Sequence, residues 1–447
     1  MRVLKRAWLF VSRGLLTSFT LLPIWFSYAI PFVRMRRGAV IPADTWQRLH
    51  EKHAPRFRAL AVRMRGGLIK VGQILSTRVD ILPIEWTSTL SSLQDRVDPL
   101  PWHELEPHVT RAYGRSPHEV FETIDEAPKA AASFGQVHKA RTPQGEDVAL
   151  KIRYPDAEAK LAADLFTLRA MLPLFNVFLP QLSLAPIFGE VSRALRTELD
   201  YEQEARFTQT IHENFRDHPR IHVPRVLSEY TRRDVICTTW FEGKKITDPA
   251  LLSASHMDRR MLLELVIETW IKMMYIDGVF QSDPHPGNLL ARIASDGKPE
   301  LCVIDFGQVK ILTRPFHQAL VRSVMCFITR DVEQFLDTLC VLGLFGEGEK
   351  ERARPLITKI LDRYATMSPE QTRAMDFAWV RDEVLGQIRS FRGVTIPQDL
   401  VLYGRTFALL AGLSRSIDPS VDAFALAKPH FLRAMLNGGP PESASQS

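Results

Sequence analysis

The stretch Gln281-Ser282-Asp283-Pro284-His285-Pro286-Gly287-Asn288 is followed, 17 residues after its asparagine, by Asp305-Phe306-Gly307. An aspartate, an asparagine five positions on, and then an apolar run ending in Asp-Phe-Gly is a pattern that holds a metal–nucleotide. In it Asp283 faces the group that accepts phosphate, while Asn288 and Asp305 offer hard oxygen donors to a Mg²⁺ that bridges the phosphates. The flanks agree. Glu300-Leu301-Cys302-Val303-Ile304 is apolar and of buried-strand length, so it delivers Asp305 to a strand end. Residues 261–278 read as a long apolar helix backing the loop. Taken singly, Asp-Phe-Gly is a common tripeptide, and a Pro- and Gly-rich Asp/Asn loop is usually a turn. The weight lies in their order.

Working towards the N-terminus, residues 223–239 supply two strands, and Trp240-Phe241-Glu242-Gly243 connects them to the half of the chain that carries the loop. Before them lie helical stretches at 157–178 and 187–215, the second carrying Glu198-Leu199-Asp200-Tyr201-Glu202-Gln203-Glu204-Ala205. Val148-Ala149-Leu150-Lys151-Ile152 is a strand; a Pro143-Gln144-Gly145 turn joins it to the strand Gln136-Val137-His138-Lys139-Ala140. A small-residue loop, Ala130-Ala131-Ala132-Ser133-Phe134-Gly135, and a short strand at 121–124 come first. This order matches the small lobe of a protein kinase, with Lys151 at the lysine position of the Val-Ala-Ile-Lys strand. Lys151 is then the ligand of the α- and β-phosphates, and Glu204 its helix partner. The pairing rests on order alone, since carboxylates at 198, 202 and 204 are also ordinary on an exposed helix. Ala130, Ala131, Ala132 and Ser133 would be the nucleotide-facing loop, small so that backbone can approach phosphate oxygens. Alanine restricts φ where glycine would not, which stiffens it.

The 447 residues suit two or three domains, or one two-lobed domain with extensions. Apolar and charged fractions of 45% and 24% are those of a globular protein. The net charge of +6 originates in the first 37 residues, which hold seven Arg or Lys and no acid. The remainder is nearly balanced, so no nucleic-acid-binding stripe is indicated and an anionic membrane surface is the expected partner of the basic end. Cys237, Cys302, Cys326 and Cys340 are scattered without a C-x-x-C pair, which indicates neither a zinc site nor a disulfide framework and suits a reducing compartment.

Residues 14–33 contain no charge and are flanked by Arg2, Lys5, Arg6 and Arg13 before and Arg34, Arg36 and Arg37 after. The length spans a bilayer, with Pro23 and Pro31 as kinks. Three readings stand: a membrane anchor or in-plane segment, a cleaved targeting sequence, or a helix docked on the protein's own surface. No A-x-A-like cleavage site follows, the acid-free start would suit a mitochondrial transit peptide, and cations on both sides leave orientation open. Residues 41–110 read as helical around Leu68-Ile69-Lys70-Val71-Gly72-Gln73-Ile74-Leu75, where pattern alone puts Lys70 and Gln73 on a solvated face. Leu93-Gln94-Asp95 comes next. Beyond Gly307 there is no Ala-Pro-Glu and no long polar loop of the kind that recognises peptides. Residues 314–342 and 352–432 read as helical, and the Pro-, Gly- and Ser-rich 438–447 as a disordered tail.

Together these elements resemble the UbiB/AarF family of atypical kinases over roughly residues 55 to 435. The resemblance rests on Lys70-x-Gly72-Gln73, the Leu-Gln-Asp after it, the Ala-rich loop, Glu198-x-Asp200 with the following Glu-Ala, Asp-Pro-His-Pro-Gly-Asn and Asp-Phe-Gly. It implies an α+β, protein-kinase-like two-lobed fold with an N-terminal helical extension over the active site. In such proteins the Lys-x-Gly-Gln helix approaches the Glu-x-Asp carboxylates and the phosphates, which moves Lys70 and Gln73 from a solvated face to gating residues with Glu198 and Asp200. Gln281 stands where the family usually has His, which predicts altered loop support with activity kept. Phe134 stands where an aliphatic residue is more usual. Many bacterial members carry C-terminal membrane helices, whereas here the hydrophobic segment is at the N-terminus.

The resulting division is a membrane-associating segment at 1–40, the extension at 41–115, a small lobe with helical insertion at 116–240, a helical large lobe at 241–435 and a tail at 436–447. The expected activity is Mg²⁺-ATP-dependent phosphoryl transfer or ATP hydrolysis by a UbiB-type kinase, with Asp283 and Lys151 catalytic and ATP and Mg²⁺ as cofactors. The expected partners are a quinone-precursor lipid or quinone-biosynthesis enzymes. The expected place is the cytoplasmic face of a bacterial inner membrane or, alternatively, the mitochondrial inner membrane. The competing readings are a nucleotide-binding scaffold without turnover and a protein Ser/Thr kinase.

Overall fold

The computed structural model describes residues 2–76, 82–94, 99–178, 184–366 and 397–437. The Asp95 of Leu-Gln-Asp, the 367–396 part of the helical C-terminal region and the tail at 438–447 lie outside these residues. The chain divides into two compact units: Met1–Ala205 with Val226–Trp240, and Arg206–Arg225 with Phe241–Ser447.

The first unit opens with helices α1 (Arg2–Arg36), α2 (Ala43–Met64), α3 (Gly67–Ser76), α4 (Ile84–Ser91), α5 (Trp102–Tyr113) and the short α6 (Pro117–Val120). Strands β1 (Thr123–Ile124), β2 (Ala130–Ala131), β3 (Gly135–Arg141) and β4 (Asp147–Arg153) come next, then α7 (Ala157–Asn176), α8 (Leu184–Thr197) and α9 (Tyr201–Phe215), of which residues from Arg206 on belong to the second unit. After β5 (Ile221–His222), which belongs to the second unit, β6 (Val235–Thr239) returns to complete an antiparallel sheet of order β1-β3-β4-β6, with β2 also paired to β3. Strand β4 shows why this sequence makes a half-buried strand. Val148, Leu150 and Ile152 are wholly buried, and the period of two turns Ala149 and Lys151 to the opposite face. One apolar core joins the helical extension to the sheet: Leu68, Ile69, Leu90 and Leu105 pack in the same cluster as Leu150 and Ile152. The expected single helix over 187–215 is two: one stops at Thr197, and Asp200 caps the next. The expected loop at 130–135 is partly strand, because Ala130 and Ala131 pair with Val137 and Gln136.

Helix α1 lies along α7 and α2. Arg13 grips Asp164 of α7 through Nε at 2.8 Å and Nη2 at 2.7 Å, and donates from Nη1 to the Met64 carbonyl at 2.9 Å. Trp25 Nε1 donates to the Leu174 carbonyl at 2.7 Å. The structure packs this segment as a helix against α7 and α2, and the same helix is long and apolar enough to cross a membrane. Its outer face leaves Trp8, Val11, Leu15, Phe19, Phe26 and Ile30 exposed in a helical stripe.

The second unit contains β7 (Lys244–Lys245), α10 (Pro249–Leu252) and α11 (Arg259–Ile271), the last running on as a π-helical turn over Lys272–Asp277. Then come β8 (Val279–Gln281), β9 (Leu289–Ile293), β10 (Pro299–Val303), β11 (Val309–Ile311), α12 (Arg314–Thr329), α13 (Val332–Val341), α14 (Lys350–Thr366), α15 (Gln398–Ile417) and α16 (Ala423–Asn437). One sheet has the order β5-β10-β9-β7, and β8 pairs antiparallel with β11. Trp270, Phe280, Leu301 and Phe306 are buried in a single core with the helices. A β-rich unit carrying the strand lysine, a mainly helical unit carrying Asp-Phe-Gly and an N-terminal helical region make this a protein-kinase-like fold.

Candidate functional site

In the first unit the site is built on β4 and the start of α9. Lys151 lies opposite Val137 and Ile236, so both neighbouring strands hold it in register. Its Nζ donates to Glu204 Oε1 at 2.5 Å and stands 5.5 Å from the centroid of the Tyr201 ring. Glu204 is nearly buried, its side chain 6% exposed. Its position is set by Asp200, whose Oδ1 accepts from the Gln203 N–H at 2.9 Å and whose carbonyl accepts from the Glu204 N–H at 3.0 Å. Asp200 and Gln203 stand at the spacing of a capping box, so the helix start, and with it Glu204, is locally encoded.

Lys70 forms an ion pair with Glu198, both mostly buried. Gln73 turns elsewhere: its Nε2 donates to the Leu93 carbonyl at 2.9 Å. Gly72 faces the same turn, where a Cβ would run into Leu93 Cδ1. Thus Lys70 reaches the expected carboxylate, Asp200 serves as a helix cap, and Gly72 and Gln73 clamp α3 to the Leu93 turn. The hairpin from β2 to β3 is closed by Ala132 N–H donating to the Gly135 carbonyl at 2.7 Å. Phe134 is buried and its carbonyl accepts from the Tyr154 N–H at 2.8 Å, so the aromatic anchors the loop from below. A Cβ on Gly135 would collide with the Tyr201 hydroxyl and the Ile152 carbonyl. Tyr201, under both Lys151 and Gly135, escaped the reading of the sequence; its place beside the Glu-x-Asp pair was the available signal.

In the second unit, antiparallel β9 and β10 pair Leu289 with Val303, so Asn288 and Ile304 meet at one end of the hairpin. The Ile304 N–H donates to the Asn288 carbonyl at 3.0 Å, which brings Asp305 beside Asn288 in the chain trace. Asn288 Nδ2 donates to the Asp283 carbonyl at 3.2 Å, and that bond orients its amide oxygen. Asp305 Oδ1 accepts from the Gly307 N–H at 2.9 Å. One amide oxygen and one carboxylate suit Mg²⁺, which takes few protein oxygens and completes its shell with phosphate and water. Among the described residues no three His, Cys, Asp or Glu converge on a metal position.

Asp283 is held by its backbone. Its carbonyl accepts from Gln281 Nε2 at 2.6 Å and its N–H donates to Gln281 Oε1 at 3.1 Å. Gln281 is buried, with its own carbonyl accepting from Trp270 Nε1 at 2.9 Å. An amide can both donate and accept, so the Gln281 side chain closes a ring on the Asp283 backbone. On the other side, Arg405 of α15 reaches Asp283 Oδ1 at 3.3 Å. No pattern in the sequence linked a residue 122 positions downstream to the loop.

The profile of the ABC1 atypical kinase-like domain matches residues 92–339. The "Probable protein kinase UbiB" of Cellvibrio japonicus is 30% identical over 380 residues, covering 84% of this chain and 68% of its own length. The chloroplastic "ACTIVITY OF BC1 COMPLEX KINASE 1" of Arabidopsis thaliana is 27% identical over 435 residues, covering 96% of this chain and 61% of its own. This chain spans 53% to 69% of the length of such relatives. The solved complex of Rv3197 with erythromycin, from Mycobacterium tuberculosis, is 25% identical, with a TM-score of 0.54 over 86% of this chain and 97% of that one. Matching family residues over more than half its length, with Lys151, Glu204, Asp283, Asn288 and Asp305 all inside the match, the chain belongs to the ABC1 atypical kinase-like family.

Proposed function

We propose that the chain is a Mg²⁺-ATP-dependent atypical kinase or ATPase of the UbiB type that works at an anionic membrane surface and supports synthesis of ubiquinone or another isoprenoid lipid. The observation that carries this reading is the Lys151–Glu204 pair. A carboxylate this buried fixes the ammonium at one place on β4, where it can meet the α- and β-phosphates. Asn288 and Asp305 are the residues that would hold Mg²⁺; bound there, the ion neutralises charge across the phosphates. Asp283 takes the proton of an attacking hydroxyl, from water or a lipid headgroup, as the oxygen bonds to the terminal phosphorus and the bond to the ADP oxygen breaks. Ala130, Ala131, Ala132 and Ser133 form the nucleotide-facing hairpin, and Lys70, locked on Glu198, limits access to it. Val309–Ile311 and Arg314–Thr329 come almost directly after Gly307, which leaves no room for a long peptide-docking loop at that point of the described chain and favours a non-protein acceptor.

The membrane part of the proposal draws on α1. Ala7–Arg36 is long and apolar enough to cross a bilayer, but Arg13 and Trp25 are committed to α7 and to the α2 end, which favours α1 lying in the interface with its exposed stripe in the lipid. Beside that stripe a groove of about 390 Å³ is lined by Leu16, Phe19 and Pro23 of α1 and by Arg56, Leu60 and Arg63 of α2. Two cations over an apolar floor match an anionic headgroup and its acyl chain.

The experiment is Mg²⁺-dependent phosphate release by the full chain, with and without anionic vesicles, beside Asp305→Asn and Phe19→Ser. Release abolished by Asp305→Asn and raised by vesicles except in Phe19→Ser is the expected result. Nucleotide binding without release in any arm would replace the enzyme with the scaffold.

A further inference from the structure

We infer that Arg405 is a catalytic cation that grips the terminal phosphate of the bound nucleotide, an inference that rests on the ATP-dependent activity proposed above. A transferring phosphoryl group spreads charge over three oxygens, and fixed cations next to it supply much of the catalysis. The loop from Ser282 to Asn288 contains no Lys or Arg. Among the described residues, Arg405 is the basic side chain that pairs with Asp283.

Its attachment is loose where chemistry would act and tight where the helix is anchored. The Arg405–Asp283 contact is a single one at 3.3 Å, longer than a closed charged hydrogen bond, and the Arg405 side chain is still about a third exposed. Arg405 Nε is buried and has no hydrogen-bond partner among the described residues. A buried donor left unsatisfied is unfavourable and calls for an explanation. An oxyanion arriving beside Asp283 would provide one, because the planar fork can bond two oxygens of a phosphate at once. The helix itself is fastened on three sides. Thr406 Oγ1 donates to the Ser282 carbonyl at 3.2 Å, Asp399 pairs with Lys310 of β11 at 2.6 Å, and the Tyr403 and Tyr275 hydroxyls are hydrogen-bonded. Thr406, one residue from Arg405, is wholly buried. These anchors hold the Arg405 backbone against the loop while leaving its fork free to turn from Asp283 to the phosphate. The attacking oxygen, bound by Asp283, and the phosphorus it attacks are then served by two adjacent side chains.

The test compares ATP and ADP binding by calorimetry, and steady-state turnover, for the full chain and for Arg405→Gln, Arg405→Lys and Arg405→Gly. A phosphate grip acts only on ATP. Arg405→Gln is expected to weaken ATP binding roughly 10- to 100-fold, the range for a lost hydrogen bond to a charged group, with ADP binding unchanged. Its kcat should fall roughly 10²- to 10³-fold, as for removal of one preorganised donor. Arg405→Lys should recover part of the ATP preference, and sub-denaturing guanidinium should restore turnover in Arg405→Gly. If the Arg405 variants lose ATP and ADP affinity together, or lose neither, the inference fails and Arg405 is only a prop for the loop. If the unaltered chain binds no nucleotide, the proposed function fails and this inference falls with it.

Discussion

Replacing Arg13 by methionine keeps an unbranched apolar stem and removes both bonds to Asp164. That carboxylate is 1% exposed, whereas Arg13 is 11% exposed, so the variant would strand a buried anion. Breaking such a pair from one side costs about 3–5 kcal/mol. For a unit of this size that lowers the melting temperature by roughly 6–20 °C. The effect carries a pH signature. Burial, outweighing Arg13, already holds Asp164 above its ordinary range. A raised native value means that the folded state binds more protons than the unfolded one between the two pKa values. The stability contributed by this group is therefore complete below the unfolded value of about 3.9 and falls as pH rises through the native value. Without Arg13 the native value rises further, so the gap between variant and parent should be small near pH 4 and widest at neutral pH. Calorimetric melting of the two proteins from pH 4 to pH 8 measures it, and Arg13→Met with Asp164→Leu should recover most of the loss, because no charge is then stranded. A loss below about 1 kcal/mol at pH 7, or one equal at pH 4 and pH 7, would refute the view that this pair fastens α1 to α7.

Gly72→Ala drives a methyl group into Leu93 Cδ1 and should cost about 1–3 kcal/mol by overpacking; Leu93→Ala in the same chain should relieve it, as a double-mutant cycle in denaturant would show. Gln281→Ala removes both bonds that close on the Asp283 backbone, for an expected loss of about 1–3 kcal/mol together with a lower kcat at unchanged KM for ATP, and Gln281→Glu, which keeps the acceptor only, should fall between.

The parts of the molecule legible in the sequence are those where local chemistry and position agree. The alternation Val148, Leu150, Ile152 marks a strand, and the lysine inside it needs no other information to face the opposite side. The apolar run that delivers Asp305 to a strand end is equally local, and it is β10; its antiparallel partner β9 comes from the structure alone. The break at Asp200 was also written locally, as a cap with its glutamine three residues on, yet the acidic run around it reads equally as continuous helix. Long-range partners were not legible. Arg13 and Asp164 are 151 residues apart, and an arginine at the edge of an apolar segment reads as a membrane flank until α7 is seen beneath it. Arg405 shares that difficulty, since its meaning comes wholly from the loop it touches.

The geometry also separates the members of the Lys-x-Gly-Gln element by kind. Gly72 and Gln73 act on shape, since one admits Leu93 and the other bonds to its carbonyl. Lys70 acts through charge. It pairs with Glu198 as Lys151 pairs with Glu204, and the two acids stand on either side of the Asp200 cap. Largely desolvated ion pairs contribute little net stability, and apolar residues of similar volume often do as well or better. Two such pairs set around one capped helix start are therefore poorly explained as structural cement. Under the function proposed above they are better explained as ammonium groups held in place for the phosphates of a nucleotide, with the cap at Asp200 setting the position of both carboxylates.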